Sequence, residues 1–405
     1  MKRLASLKEF QSISLIEVRE GSIQFYVPKV EGLLSAKGPG TARLPVFYNP
    51  AMELNRDIAV IFLRAMGKSQ RIKRVCEPMA GCGVRGIRFA VEAGNVEWVA
   101  INDLNAKAAA LAKLNVERAE VEGKVSVFNL DAEELLCKFS APGERFDFVD
   151  LDPYGSPMPY LDSCFRAVRL GGFLALTATD TATLCGVNPK ACLRKYGAKP
   201  LKTEYCHELA VRILIGAAVR LAARRSLALK PLFTHSTDHY VRVYFQMLRG
   251  AKRADEALNK LGLLYHCPKC LSRRTLQGLK PPHPAVKCEC GFGMEVAGPL
   301  WLGDLWQRET VEAMASELLK AKIRRFKEAR SLLAKVKLEM EVDIPTYYTA
   351  DKLAESLRLP PLSPTRLVKA LREVGFKSSP THFTSQGIRT NAPTKVLREI
   401  LAELS

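Results

Sequence analysis

Between residues 72 and 248 short apolar runs alternate with helical patterns, and that alternation leaves few folds open. The runs at 72–77, 96–102, 125–129, 145–149 and 171–178 are strand-length and bounded by turn residues. Helical patterns at 105–119, near 159–168, at 188–195 and at 205–225 separate or follow them. This order predicts an α/β, Rossmann-like doubly wound sheet, with 227–233 and 239–248 as two closing strands. In such a sheet ligands bind at the carboxyl ends of the strands. The chemistry is therefore sought in the loops that follow each run.

The fourth run leads into Asp150-Leu151-Asp152-Pro153-Tyr154-Gly155-Ser156-Pro157. Two prolines and a glycine cannot continue a strand, so the chain turns here. An acid, a proline carbonyl and an aromatic ring are then adjacent, a set suited to the exocyclic amino group of a nucleobase. The carboxylate and the carbonyl accept its two N–H bonds while the ring stacks on the base. The plainer reading is a strand-to-turn junction with a solvated aspartate.

After the first run comes Glu77-Pro78-Met79-Ala80-Gly81-Cys82-Gly83-Val84-Arg85-Gly86. Its glycines spell G-x-G-x-x-G, which fits either nicotinamide or flavin binding or S-adenosylmethionine binding. Glu77 at the strand end favours the second, because a carboxylate there receives a cationic or amino-bearing ligand. Arg85, at the helix start, is placed to meet a methionine carboxylate. Asp103 ends the second strand, where an acid takes both ribose hydroxyls of an adenosine or simply caps the next helix. Asp131 and Ala132 follow the third strand and put an acid and backbone amides at the place of an adenine edge. Upstream, residues 15–27 read as a hairpin, and 36–45 as a Gly- and Pro-rich loop carrying Lys37 and Arg43. Asn49 and Pro50 start a helix to about Met66, in which Asn55-Arg56-Asp57 reads as a solvated polar face with local ion pairs. His207, His235 and His239 read as structural, since no nucleophile accompanies them.

Of eleven cysteines, seven are scattered in apolar or small-residue contexts, as buried free thiols are. Cys267, Cys270, Cys288 and Cys290 instead form two close pairs, the pattern of a tetrahedral structural zinc site, with His266 or His283 as substitute ligands. The 18-residue apolar length of a membrane span is not reached, because Arg212, Arg220 and Arg224 interrupt the best candidate, and no signal core opens the chain. A cytoplasmic protein is expected.

The formal charge of +19 is uneven. Residues 101–150 hold 6 basic against 10 acidic groups, whereas 151–300 hold 22 against 10. A basic field that begins beside a candidate base pocket points to a polyanionic partner. Lys269, Arg273, Arg274 and Lys280, between and beside the cysteines, are candidates to touch phosphates. The stretch 310–339 reads as one charged amphipathic helix carrying Arg324, Arg325 and Lys327. Helices at 349–357 and 364–373, then short strands, suggest a winged helix whose basic second helix carries Arg366, Lys369 and Arg372.

Taken together, the chain resembles the tRNA (guanine-26 N2)-dimethyltransferase family from end to end. The resemblance rests on Val46-Phe47-Tyr48-Asn49-Pro50 with Asn55-Arg56-Asp57, on Gly83-Val84-Arg85-Gly86-Ile87-Arg88-Phe89-Ala90, and on Asp150 to Pro157. Thr177-Ala178-Thr179-Asp180, Leu184-Cys185-Gly186, Cys192-Leu193-Arg194-Lys195-Tyr196 and Thr381-His382-Phe383 add to it. Tyr154 stands where Phe is also familiar, and Glu77 to Cys82 departs from the family's Asp-Ala-Leu-Ser-Ala-Thr-like form. The resemblance implies S-adenosylmethionine as methyl donor, held by Arg56, Arg85, Asp103 and Asp131 among others. It implies Asp152 as the catalytic acidic residue of the loop, with Phe47 and Tyr154 flanking the target guanine. It also implies a methyltransferase domain over 1–255. A smaller C-terminal α+β tRNA-binding domain would span 256–405, with the zinc knuckle at 265–292 and the winged-helix module at 345–405. Against it stand three other readings: an amino methyltransferase acting on another RNA guanine or on DNA adenine, a non-catalytic zinc-containing RNA-binding protein, and a dehydrogenase. The last lacks a candidate acid–base pair for hydride chemistry.

Overall fold

The computed structural model describes residues 14–29, 45–278, 286–342, 344–360 and 362–404. The Gly- and Pro-rich loop expected at 36–45, except for Pro45, and His283 and Lys280 lie outside the described residues. β1 (Leu15–Glu20) and β2 (Ile23–Pro28) pair antiparallel as the expected hairpin, with Gly21 at φ +53 in the turn. Asn49 accepts the Ala51 N–H at 2.9 Å and opens a 3-10 turn over Pro50–Met52, which leads into α1 (Glu53–Ser69). Then β3 (Arg74–Glu77), α2 (Val84–Glu92), β4 (Trp98–Asn102), α3 (Ala106–Arg118), β5 (Val125–Phe128), α4 (Ala132–Lys138) and β6 (Phe146–Leu151) follow in strict alternation. After a turn at Met158–Tyr160 come α5 (Leu161–Ala167), β7 (Val168–Ala178), α6 (Thr181–Leu184), α7 (Pro189–Tyr196) and α8 (Cys206–Ala223). β8 (Leu227–Thr237) and β9 (Tyr240–Arg249) are the two expected closing strands, and they pair antiparallel.

These strands form one seven-stranded sheet in the order β5-β4-β3-β6-β7-β9-β8. β3 pairs parallel with both β4 and β6, and β4 pairs parallel with β5. The chain thus steps outward from β3 to β5 and returns to lay β6 on the other side of β3. That reversal is the switch point at which open sheets bind ligands. Every residue of β6 is buried, Asp147 and Asp150 included, as a strand covered on both faces requires.

Further on are α9 (Ala251–Leu258), β10 (Leu261–His266), β11 (Arg273–Gln277) and β12 (Glu295–Trp301), the three strands ordered β11-β10-β12. The single helix expected over 310–339 is two, α10 (Arg308–Leu318) and α11 (Phe326–Glu339). No proline or glycine stands between them. Tight turns at Lys320 and Ala321 end the first, and the interval brings Arg324 onto the buried carboxylate of Glu53. β13 (Tyr348–Thr349), α12 (Ala350–Leu357), α13 (Pro364–Glu373), β14 (Ser378–Pro380) and β15 (Gly387–Thr390) follow, the three strands ordered β13-β15-β14, and α14 (Thr394–Leu404) closes this module. Leu353, Leu367, Leu371, Ile388, Leu397 and Leu401 make its core, and Arg366, Lys369 and Arg372 stay exposed on α13.

The described chain falls into two compact units that interleave. One holds the residues up to Asp152 with Asp162–Ala175 and Glu312–Ser331, and the other holds Pro153–Leu161, Leu176–Val311 and the residues from Leu332 on. Among the described residues no helix is long and apolar enough to cross a membrane.

Candidate active site

The four parallel strands deliver Glu77, Asn102 with Asp103, Leu130 with Asp131, and Leu151 with Asp152 to one edge of the sheet. Asn102, fully buried, ties this edge together. Its Nδ2 donates to the carbonyls of Pro78 (2.9 Å) and Leu130 (3.0 Å), and its Oδ1 accepts the Leu130 N–H (3.0 Å). Sequence reasoning passed over Asn102. The available signal was an amide ending an apolar strand, where a buried polar group must find partners.

The glycine loop is shaped for close approach. Gly81 and Gly83 adopt φ +56 and +79, in the left-handed region that glycine tolerates. A Cβ on Gly81 would sit 2.7 Å from the Phe47 carbonyl oxygen, so the Phe47 main chain lies directly against the loop. The Phe47 ring is 44% exposed. Asp103 accepts the Gly81 N–H through Oδ2 (2.8 Å) and the Asn105 N–H through Oδ1 (2.9 Å). It therefore buttresses the loop and begins a turn as well as standing at the expected strand end. Asp131 is exposed and N-caps α4 by accepting the Glu133 N–H (2.8 Å), while Ala132 is buried behind it.

Arg85 is placed differently from the expectation. It is 3% exposed and meets carboxylates of its own chain. Nε lies 3.3 Å from Glu77, Nη1 donates to Asp150 (3.2 Å) and to Asn55 Oδ1 (2.8 Å), and Nη2 donates to Asp152 Oδ2. Asp150 and Asp152 reach one guanidinium because residues two apart on a strand share a face. Glu77 also accepts the Gly86 N–H (2.8 Å), which fixes the start of α2. Burial pushes the Glu77 carboxyl up to about 8 against the pull of Arg85, and the Asp150 charge adds to the rise. Asn55 Nδ2 is buried with no hydrogen-bond partner among the described residues, an orphaned donor beside this cluster.

Asn55-Arg56-Asp57 is not a solvated face: all three are buried. Arg56 donates from Nε to Glu20 (2.7 Å) and from Nη2 to the Asn49 carbonyl (3.1 Å), and Tyr48 donates to the same Glu20 (2.8 Å). Arg88 bridges Asp57 (2.6 Å), Glu92 (3.0 Å) and Glu20 (3.5 Å). Burial would raise the Glu20 carboxyl, yet Arg56 and Arg88 hold it below its usual value. Glu20 lies at the hairpin turn, and its ionic partners come from α1 and α2. A polar triplet inside an apolar helix was the signal, and pairing with distant acids is what converts it from surface to core.

In the second unit the Asp-Pro-Tyr-Gly loop is held from beneath. Gly155, at φ +94, donates its N–H to Thr179 Oγ1 (2.7 Å), and the Thr179 N–H returns to the Gly155 carbonyl (2.9 Å). Next to Thr179, Asp180 accepts from Tyr196 Oη (2.6 Å) and Lys195 Nζ (2.9 Å). Pro153 is buried, and the Tyr154 ring is 76% exposed.

The four cysteines converge. All four Sγ atoms lie within 4.8 Å of one another, with Cys267 to Cys290 at 3.5 Å and Cys270 to Cys288 at 3.4 Å. A tetrahedral zinc with bonds of about 2.3 Å spaces its sulfurs about 3.8 Å apart, so the set fits a closed structural centre. The Phe292 amide, more than any other group, draws the Cys290 thiol down to about 7. His266 is outside this set: its ring packs against Tyr205, and burial lowers its pKa to about 4. Arg273 does not face outward as expected. It is wedged between the Tyr205 and Tyr348 rings, at 4.0 and 3.9 Å, and donates to Thr346 (2.8 Å). His235 is buried as expected of a structural histidine, hydrogen-bonded to Thr237 (3.0 Å).

Residues 23–402 match the family model described as N2,N2-dimethylguanosine tRNA methyltransferase. A tRNA (guanine(26)-N(2))-dimethyltransferase of Methanosphaera stadtmanae is 37% identical, covering 96% of each chain. A tRNA (guanine(26)-N(2)/guanine(27)-N(2))-dimethyltransferase of Aquifex aeolicus is 35% identical over the same shares. Among solved structures, Trm1 from Pyrococcus horikoshii in complex with S-adenosyl-L-methionine is 36% identical. It superposes with a TM-score of 0.84 over 95% of this chain and 99% of that one.

Proposed function

The chain belongs to the N2,N2-dimethylguanosine tRNA methyltransferase family, and from that premise we propose that it transfers methyl groups from S-adenosylmethionine to the exocyclic N2 of guanosine 26 in tRNA. The observation that carries the reading is the carboxylate cluster on Arg85 at the sheet's switch point, with Asp152 at its rim and the glycine loop on the same edge. S-adenosylmethionine supplies an electrophilic methyl group there. The loop of Gly81 and Gly83 borders its place, Asp103 and Asp131 stand at the ends of the next two strands for its ribose and adenine, and the orphaned Asn55 Nδ2 offers a donor. Arg56 and Arg85 act through the acids they hold, and Glu77 orients Arg85 and the α2 start. Zinc held by Cys267, Cys270, Cys288 and Cys290 keeps the second pair of cysteines folded onto β10. Residues 256–405, with the exposed basic groups of α13, provide the tRNA-binding surface.

The guanine amino group is a poor nucleophile because its lone pair is delocalised into the ring. Asp152 accepts one amino proton as that lone pair localises, and the Pro153 carbonyl accepts the other N–H. Nitrogen forms the new bond to carbon as the carbon–sulfur bond breaks, and the proton ends on the Asp152 carboxylate. Arg85 keeps that carboxylate aimed through Oδ2, leaving Oδ1 to the substrate. The exposed Tyr154 ring stacks on the extruded base. Incubation with labelled donor and tRNA transcripts, followed by nuclease digestion and mass spectrometry, is expected to give N2-methyl- and N2,N2-dimethylguanosine at position 26. An A26 transcript should accept no label, and label at 27 alone would overturn the assignment. Asp152→Asn should lower the single-turnover rate by about 10²–10⁴-fold with donor affinity nearly unchanged.

A further inference from the structure

A second group of soft ligands lies apart from the four-cysteine centre. Cys185 follows α6, and Cys206 and His207 form the first residues of α8. Their three ligand atoms all lie within 4.8 Å of one another, and Cys185 Sγ is 3.8 Å from His207 Nδ1. A tetrahedral zinc, with bonds of about 2.3 Å to sulfur and about 2.0–2.1 Å to nitrogen, spaces such a pair about 3.5 Å apart. The donors therefore already stand at nearly the separation a metal would impose.

The surroundings favour a metal over a chance meeting of thiols. Cys185 is 8% exposed and its backbone N–H is fixed on the Thr181 carbonyl at 2.7 Å, so its thiol is not a swinging surface group. Cys206 and His207 are half-buried, which leaves an approach for an ion. Cys206 opens α8, and the positive end of a helix favours the thiolate, the ligating form. Two thiolates and an imidazole select a borderline-soft divalent ion and disfavour magnesium or calcium. Three protein ligands also leave a fourth position open, unlike the closed four-cysteine set.

We infer that Cys185, Cys206 and His207 form a second zinc site, which ties the end of α6 to the start of α8. Its consequence is local. α6 begins directly after Thr179 and Asp180, and Thr179 exchanges two hydrogen bonds with Gly155 of the Asp-Pro-Tyr-Gly loop. Metal at this point would stiffen the support on which that loop rests.

Cobalt titration of the metal-stripped, reduced full-length protein tests this, read by sulfur-to-cobalt charge transfer and by bound-metal analysis after gel filtration. The wild type should take two equivalents, one for each of the two clusters. Cys185→Ser and His207→Gln should each take one, with the spectrum of a four-thiolate centre remaining. The sulfur-to-cobalt intensity lost in Cys185→Ser should match the presence of a mixed sulfur and nitrogen site. A single equivalent in the wild type, or two equivalents in a folded Cys185→Ser or His207→Gln protein, would overturn the assignment. Because His207→Gln leaves both thiols in place, it stands as the test if the serine variant does not fold, as judged by circular dichroism.

Discussion

Arg85 shows how one residue decides the character of the site. Its guanidinium faces Glu77, Asp150 and Asp152 in a nearly dry setting, so each acid depends on it for compensation. Removing one member of a buried ion pair leaves uncompensated charge and typically costs about 3–5 kcal/mol. Arg85→Ala is therefore expected to lower unfolding free energy by about that amount in denaturant titration, and to impair turnover beyond what weaker donor binding explains. A variant with wild-type stability would show that the acids find other partners. The sequence singled out Arg85, Asp103 and Asp152 as candidates, because each follows a strand at the edge where ligands bind. It did not indicate what Arg85 touches. A basic residue opening a helix after a glycine loop reads naturally as a ligand contact, and only the register of β6 against β3 shows that Asp150 and Asp152 arrive on the same guanidinium. Asn102 and Thr179 were equally hidden as partners, since each acts through backbone groups that no residue identity announces.

At the scale of elements, buried charge joins segments distant in sequence. Glu208 in the first turn of α8 accepts from Arg389 of β15 (2.6 Å) and from Arg212 one turn on (2.9 Å), and takes the Thr346 N–H (2.8 Å). Burial alone would raise its pKa, but Arg389 and Arg212 outweigh that and lower it to about 2. A carboxyl depressed in the folded state adds stability above its unfolded pKa and loses it as pH falls toward the folded value. The window is thus about pH 4.5 down to 2, and the linked stabilisation is of the order of 3 kcal/mol. The stability advantage of wild type over Glu208→Gln, measured by denaturant titration at a series of pH values, should be constant above pH 5. It should shrink steadily below. An advantage independent of pH would mean Glu208 carries no such linkage. Elements of this kind were the most legible part of the chain when their apolar period was clean, as in β3 to β6. They were least legible at 310–339, where a continuous helical pattern is interrupted for the sake of Arg324 and Glu53. The four cysteines that would hold zinc were readable as a cluster from spacing alone. Chelation of that metal should speed amide hydrogen exchange in β10, β11 and the turn at Cys288, while β3 to β6 stay protected. Equal acceleration in both places would mean the centre is not a local staple.

Across the whole molecule, the charge of +19 has to be reconciled with how many cations the fold has already engaged. Arg56, Arg85, Arg88, Arg212, Arg242 and Arg389 are buried, and most are shown paired with acids, so they contribute little to the outward field. The exposed excess is what a polyanion meets. Arg366, Lys369 and Arg372 on α13 supply part of it. Each Lys or Arg that neutralises a phosphate releases condensed counterion, and the logarithm of affinity then falls linearly with the logarithm of salt concentration. For about six to ten such contacts, raising salt from about 50 to about 200 mM should weaken tRNA binding by roughly 10³–10⁵-fold. Filter binding or fluorescence titration across that range gives the slope directly. Replacing Arg366 and Lys369 together by Ala should make the slope shallower by about two while leaving donor binding unchanged, because neither side chain is among the residues proposed to meet the donor. A flat salt response would remove the exposed cations from the account of tRNA binding. An unchanged slope in the double variant would move the phosphate contacts away from α13.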